Sequence, residues 1–198
     1  MIETKVPSLK ELVLRSPRMY IGRDWDAEGL YFLICEIARL AASDENANQA
    51  TRVNVAIDSD GALTIKDDGR GLPVTPFRWW KHYAKDTPTV EMVFMSTITH
   101  HPNRAYHEEV GFVNYLGAVL NVVSERLEVE TNVEGKRHRI VFGRGAVIEP
   151  LRLVGDSKER GTTIKFKPDR DVFNGFAFDE KILRKELGGA AKISVNEC

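Results

Sequence analysis

Cysteine is scarce in this chain of 198 residues, which contains Cys35 and Cys198 and no others. Two cysteines so far apart provide neither a disulfide framework nor the paired spacing of a zinc site. Cys35 lies in an apolar helical run and is interpreted as a small core residue. His82, His100 and His101 have no regular spacing with acids or cysteines, so no metal site is predicted from them.

Long apolar runs and an excess of either charge are also lacking. No stretch approaches the roughly 20 apolar residues of a membrane-spanning helix, and residues 1–5 lack the apolar core of a signal peptide. No membrane contact is expected, and a cytoplasmic location follows by default. The 28 basic residues balance 29 acidic ones, so direct nucleic-acid contact is not expected. Without an internal repeat or linker, this length predicts one globular domain.

The functional interpretation depends on residues 67–73, which read Asp-Asp-Gly-Arg-Gly-Leu-Pro and follow an alternating strand pattern. Asp67 stands at the strand end, where an ionised carboxylate only accepts hydrogen bonds and therefore suits an exocyclic amine such as adenine's. Gly69 and Gly71 let a flat ligand approach the backbone, and Pro73 adds a rigid apolar surface. The alternative is a solvated acidic turn closing a hairpin, which this short and common pattern alone favours.

Hydrophobic periodicity predicts both helices and strands along the chain. Residues 1–8 have none and are predicted to form a loose arm, whereas residues 19–22 are predicted to be a short extended piece or a tight loop with Met19 and Ile21 buried. Helices are predicted over residues 9–15, 24–42, 90–98, 111–123 and 179–187. Strands are predicted over residues 52–57, 61–66, 126–133, 137–142, 147–153 and 163–167, with a closing strand around Ile193 and Val195.

Four stretches, in this order, resemble the ATP-binding domain of the DNA gyrase B and topoisomerase IV ParE family, within the wider GHKL ATPases. They are Met-Tyr-Ile-Gly at residues 19–22, Glu36 in a long helix, residues 67–73, and Gly-Thr-Thr-Ile-Lys-Phe at residues 161–166. The similarity runs from about Leu9 to the C-terminus. It implies an α+β two-layer sandwich of the Bergerat type, with a mixed, mostly antiparallel sheet and helices on one face. Residues 1–198 are expected to form this single domain.

The resemblance implies a role for particular residues. Glu36 falls on the position of the general base that aligns the attacking water, although a lone Glu there is more simply a boundary residue reaching solvent. Thr162 matches a threonine whose hydroxyl holds adenine through water, although its β propensity alone also explains it. The positions expected to contact ATP are Asp67, Gly69, Arg70, Gly71, Pro73, Gly111 and Thr162.

The sequence departs from the family pattern at the expected magnesium site. The family has an Asn one turn after the general base, where its carbonyl oxygen binds Mg²⁺, and this chain has Leu40. Leucine has no lone pair for a hard cation, so no protein ligand for Mg²⁺ is expected and the metal would rest on phosphates and water. Arg39 replaces a usual acid, and Asp44 matches an acid that can pair with Arg70.

Two further departures concern the lid and the drug site. The family's glycine-rich lid wraps the phosphates with backbone N–H groups, but in residues 110–117 only Gly111 clearly matches, and Asn114 and Leu116 replace glycines. A core helix is the better interpretation of that segment. An arginine that contacts coumarin drugs in the family aligns with Val133, which cannot donate a charge-assisted hydrogen bond. Weak coumarin binding is therefore expected.

Three functional hypotheses follow. The first is an adenine-nucleotide-binding domain with weak or no ATP hydrolysis of its own. The second is a degenerate relative that acts through a protein partner or a homodimer without using ATP. The third is a nucleic-acid-binding module that uses aromatics and cations of residues 75–89, and the balanced charge disfavours it. In the family a further domain supplies a lysine to the γ-phosphate, and residues 1–198 correspond to the first domain alone.

Overall fold

The fold was obtained as a computed structural model, which describes residues 8–43, 48–77, 86–96 and 115–197. Its helices are α1 (Leu9–Arg15), α2 (Pro17–Ile21), α3 (Ala27–Ala42), α4 (Thr89–Met95), α5 (Leu116–Val122) and α6 (Glu180–Leu187). Its strands are β1 (Val53–Ile57), β2 (Leu63–Asp67), β3 (Ser124–Val133), β4 (Lys136–Gly143), β5 (Ala146–Asp156), β6 (Gly161–Pro168) and β7 (Ile193–Glu197).

The seven strands form one sheet in the order β5-β4-β3-β6-β2-β1-β7. Every neighbouring pair is antiparallel except β1 and β7, which run parallel with Val55 opposite Val195. The sheet is therefore mixed and mostly antiparallel. With its helical layer it confirms the predicted α+β architecture. Strand β2 lies inside the sheet between β1 and β6, and this position fixes the direction in which its last residue points.

Helix α3 is the centre of the helical layer. Its first turn is capped by Asp26, whose carboxylate accepts a hydrogen bond from the Gly29 amide at 2.8 Å. The apolar face of α3 is buried on β1, β2 and β7, with Leu33 and Ile37 having no exposed surface. Burying such side chains is worth about 1.5–3 kcal/mol each. This burial sets the distance between α3 and the end of β2, where the candidate site lies.

The outer face of the sheet carries charge rather than a second core. Arg126 on β3 binds Glu128 at 2.7 Å and Glu149 of β5 at 3.0 Å, and Arg139 of β4 binds Glu128 at 2.7 Å. These pairs are partly exposed, so each contributes little stability. They identify this face as solvated. No helix among the described ranges is long and apolar enough to cross a membrane.

The prediction for residues 19–22 was wrong. Residues 17–21 form helix α2, with Pro17 at its first position and Gly22 closing it at a φ of 68°. Proline is favourable at the first helical position because that N–H needs no partner. Met19 is 70% exposed rather than buried, whereas Ile21 is buried as expected.

The other predicted elements are present with different ends. Helix α3 begins at Ala27 rather than residue 24, because Asp26 is its cap. Helix α4 ends at Met95, and α5 begins at Leu116 rather than residue 111. Residues 1–7, Asp44 and Gly111 lie outside the described residues, as do the three histidines considered as metal ligands, residues 78–85 of the aromatic segment, and Cys198.

Candidate functional site

The site is built around the carboxylate of Asp67, the last residue of β2. The side chain is 7% exposed. Its Oδ1 accepts hydrogen bonds from the Gly69 amide at 2.9 Å and from Asn48 Nδ2 at 3.2 Å. The backbone N–H of Thr162 also donates to this carboxylate. Burial raises the pKa of Asp67 above its ordinary value, although these three donors oppose the shift.

At two positions of residues 67–73 there is no room for any side chain larger than that of glycine. A Cβ on Gly69 would lie 2.2 Å from Asn48 Oδ1, and a Cβ on Gly71 would lie 2.7 Å from the Asn132 carbonyl oxygen. Gly71 also has a φ of 81°, which side chains other than glycine rarely adopt. Both glycines therefore let this segment pass closely between the loop at Asn48 and strand β3.

Thr131 on β3 fixes the remainder of the segment. Its hydroxyl donates to the Leu72 carbonyl at 3.0 Å and accepts from the Leu72 amide at 2.7 Å, which satisfies both backbone groups of a buried residue. The Pro73 carbonyl accepts from the Val90 amide at 2.9 Å and so joins the segment to α4. The Arg70 amide donates to the Asn48 carbonyl at 2.8 Å. Residues 67–73 are thus held from three sides.

A small pocket opens beside Asp67. Only about 10 Å³ of it is open to the centre of a water molecule, roughly the space of one water. Its walls combine apolar side chains with the polar groups of the sheet end. The lining residues are Ala41, Asn48, Ile65, Asp67, Leu72, Thr162 and Ile164. Apolar walls with one acidic end fit a flat ring that carries an amine.

A larger cleft, of about 460 Å³, lies at Asn54 and Lys66 on the outer face of the sheet. Its lining side chains are polar or charged, and two of them already pair, with Lys66 binding Glu159 at 2.9 Å. Among the described residues, no apolar side chain lines it. Asp67 borders both spaces, but only the small pocket combines its carboxylate with apolar side chains, so the small pocket is the better candidate.

Glu36 lies on α3, five residues before the pocket residue Ala41, or about 7.5 Å along the helix axis. Its Oε1 binds Arg39 at 2.7 Å, and both side chains are partly exposed. Arg39 also donates to the Glu186 carbonyl of α6 at 2.7 Å. A partly exposed pair of this kind is worth at most about 1 kcal/mol, so it leaves Glu36 free to accept other donors.

The structure brings together the sequence-predicted residues Asp67, Gly69, Gly71 and Thr162. Pro73 follows them at the end of the held segment, and Arg70 contributes its backbone to the Asn48 loop. Leu40 is half-buried on α3. No cluster of His, Cys, Asp or Glu that could hold a metal ion occurs in the described ranges. Gly111 and Asp44 cannot be placed because they lie outside those ranges.

Two residues of the site were missed by the sequence interpretation. Asn48 and Thr131 are both buried and both bind residues 67–73. Asn48 lies in a polar stretch for which no helix or strand was predicted, and Thr131 lies in a strand that was predicted from its periodicity alone. Neither carries a local signal, because their partners lie 19 and 59 residues away in the chain.

Comparison with known proteins gives a consistent result. No protein-family model matches the chain. The chain is 38% identical over 184 residues to the type 2 topoisomerase B protein of Aquifex aeolicus, covering 92% of this chain and 22% of that protein. It is 37% identical over 183 residues to the DNA gyrase B protein of Thermus thermophilus, covering 89% of this chain and 28% of that one.

The fold agrees with the sequence. The 43K ATPase domain of Thermus thermophilus gyrase B, solved with an aminocoumarin, matches with a TM-score of 0.75 and 33% identity, over 95% of this chain and 48% of that one. In sequence and fold, this chain belongs with the ATPase domains of the DNA gyrase B and topoisomerase IV B family. The gyrase-B-like chain spans about a quarter of the length of the curated relatives it matches, and about half of the solved ATPase domain.

Proposed function

We propose that this gyrase-B-like chain binds adenine nucleotides in the pocket beside Asp67 and hydrolyses them weakly or not at all on its own. The observation that supports this best is the buried Asp67 carboxylate at one end of an apolar-walled pocket. A buried acid is costly unless it is hydrogen-bonded or has a task. Accepting the amine of a base is such a task.

The count of hydrogen bonds supports base recognition. An ionised carboxylate offers about four lone-pair positions, and the Gly69 amide, Asn48 Nδ2 and the Thr162 amide use three. A donor that enters from the pocket can use the fourth position or the one that the Asn48 side chain gives up when it turns away. Adenine has such a donor in its exocyclic amine, and the apolar side chains of Ile65 and Ile164 supply contact for the ring.

The set of residues that would position the phosphates of ATP is less complete than the base pocket. Rate enhancement in phosphoryl transfer requires positioned phosphates, neutralised charge and an aligned water. Glu36 supplies a carboxylate for the water, and its ion pair with Arg39 is weak enough to break at little cost. Leu40 offers no ligand to the Mg²⁺ that would accompany ATP. Binding without efficient turnover is therefore the function that this chain's own residues support.

Titration calorimetry with ATP, ADP and a non-hydrolysable analogue, with and without Mg²⁺, tests this proposal. We expect measurable binding of all three nucleotides. Asp67→Asn should weaken it by about 1–3 kcal/mol, because an acceptor-only group becomes a mixed one. Asp169→Asn, at a buried acid far along the chain that pairs with Arg144, is the matched control and should leave affinity unchanged. Absence of binding to the wild type at millimolar nucleotide would show that the proposal is wrong.

The second candidate is a domain that acts through a protein partner, or as a homodimer, without ATP. Leu40 and the small volume of the pocket favour it. The same titration separates the two functions, because this candidate predicts no heat from any nucleotide. Sedimentation of the protein with and without nucleotide would then show whether self-association occurs independently of ligand.

A further inference from the structure

Asn48 occupies an unusual place in the pocket. It is 6% exposed, and its Nδ2 donates to Asp67 Oδ1 at 3.2 Å and to the Ala41 carbonyl of α3 at 3.1 Å. The backbone carbonyl of Asn48 accepts a hydrogen bond from the Arg70 amide. The Asn48 side chain occupies the space that a side chain on residue 69 would need. Asn48 therefore joins α3, the strand-end acid and the glycine segment in one contact.

The chemistry of this contact imitates a ligand. A primary amide presents a planar NH₂ donor, which is the same kind of group as the exocyclic amine of adenine. Asn48 delivers its NH₂ to the carboxylate that the base amine would use. With Asn48 in place the pocket has space for about one water molecule, far less than a purine requires.

We propose that Asn48 is a gating residue that closes the base pocket from within, because its side chain occupies the place beside Asp67 that the ligand's amine needs. This inference rests on the proposed function, because it concerns the same site. A base enters only when Asn48 turns away, and it must then replace the lost donor. Adenine brings that donor, whereas guanine presents a carbonyl oxygen at the equivalent position and would set one acceptor against another.

The test compares adenosine and guanosine binding to the wild type and to Asn48→Ala. Removing the competing amide should raise adenosine affinity about two- to tenfold, the value of one ordinary hydrogen bond, and should leave guanosine binding weak. Asn48→Ser, which keeps a small polar side chain but lacks the NH₂ donor, should show the same gain and provides a second variant if the alanine form folds poorly.

A ligand-free measurement accompanies the titration. Loss of the Asn48 donor should raise the pKa of Asp67 further, because that donor opposes the effect of burial. NMR of the Asp67 carboxyl carbon measures this pKa. The matched control is Asn121→Ala. Asn121 is 1% exposed, and its Nδ2 donates to the Phe94 carbonyl at 2.9 Å. This control should lose stability without changing adenosine affinity or the pKa of Asp67.

The outcomes are distinct. Higher adenosine affinity in both Asn48 variants with a raised Asp67 pKa supports the proposal. Unchanged or weaker adenosine binding in those variants, with the wild type binding, overturns it and leaves the proposed function standing. An equal gain in Asn121→Ala also overturns it, because the effect would then be general loosening. If none of the proteins binds adenine nucleosides or nucleotides at millimolar concentration, the proposed function itself fails and the inference fails with it.

Discussion

At the scale of single residues, the candidate site consists of a buried carboxylate, that of Asp67, which accepts hydrogen bonds from three donors. Burial of Asp67 raises its pKa, and hydrogen bonds only partly offset this. For folding, a raised acid pKa means that the protonated form is favoured, so this contribution is largest at low pH and is lost as pH rises through the folded-state value. Ligand binding has the opposite requirement, because only the ionised carboxylate is a pure acceptor.

Adenosine affinity should therefore fall on acidification, starting at a pH above the ordinary carboxyl value of 3.8. Adenosine is the appropriate ligand because it has no phosphate to titrate. Calorimetry over the range from pH 7 downwards measures the effect, with NMR of the Asp67 carboxyl carbon as the independent pKa. Affinity that stays flat while the carboxyl group protonates would show that Asp67 does not accept from the base.

Val133 determines a second prediction at this scale. Its Cγ1 would lie 2.9 Å from a Cβ on Gly71, so it borders the glycine segment. A valine donates no hydrogen bond, and aminocoumarin affinity should be weak. Val133→Arg should raise that affinity roughly tenfold or more, the value of a charge-assisted bond. Val133→Met, with similar reach and no charge, is the control and should give no gain. Nanomolar affinity of the wild type would contradict the prediction.

The residue scale also shows what sequence can predict. Asp67, Gly69 and Gly71 were found because their types are unusual together and lie within one short segment. Asn48 and Thr131 were not, because an asparagine in a loop and a threonine in a strand are ordinary choices. Their importance arises from contacts across the fold, and a local pattern contains no information about such contacts.

At the scale of elements, helix α3 carries the incomplete part of the proposed machinery. Hydrophobic periodicity predicted this helix well, since its buried residues recur every three or four positions. Its start was predicted three residues early because Asp24 and Asp26 are both acceptable caps. Helix α2 was missed entirely, because five residues are too few for a period and Pro17 is ambiguous between a start and a stop.

Phosphate-release assays on α3 variants should separate binding from turnover. We expect the wild-type chain to hydrolyse ATP barely above background, since each missing preorganised electrostatic contact costs roughly a hundredfold or more in rate. Glu36→Ala should then change turnover little. Leu40→Asn restores an oxygen ligand and should strengthen the Mg²⁺ dependence of nucleotide binding more than it raises turnover.

The control for Leu40→Asn is Leu14→Asn, the same chemical change at a half-buried position in α1. It should lower stability without altering the Mg²⁺ dependence. Rapid wild-type turnover that disappears in Glu36→Ala would show that the helix already contains a working catalytic arrangement.

At the scale of the whole molecule, the sequence predicted the class of the fold but not its strand order. Alternating patterns located strands β1 to β6 to within about three residues at each end. The position of β7 beside β1, parallel to it and about 140 residues later in the chain, depends on tertiary packing. Strand β2, which ends at Asp67, likewise pairs with β6 about 100 residues later in the chain, so the site forms only when strands from distant parts of the chain have paired.

Cys35 offers a direct measure of that cooperativity. It is 2% exposed in the middle of α3, and burial raises the pKa of its thiol to about 11. At pH 8 only about one such thiol in a thousand is ionised, and the thiolate is the reactive form.

In a Cys198→Ser variant, which removes the other thiol, we expect no labelling of the native protein by a thiol reagent. Labelling should appear only as denaturant unfolds the chain, with the same midpoint as the loss of circular dichroism. Cys35→Ser in the same background is the control for non-specific reaction. Fast labelling without denaturant would show that α3 opens separately from the sheet, and nucleotide binding would then have to stabilise α3 as well as fill the pocket.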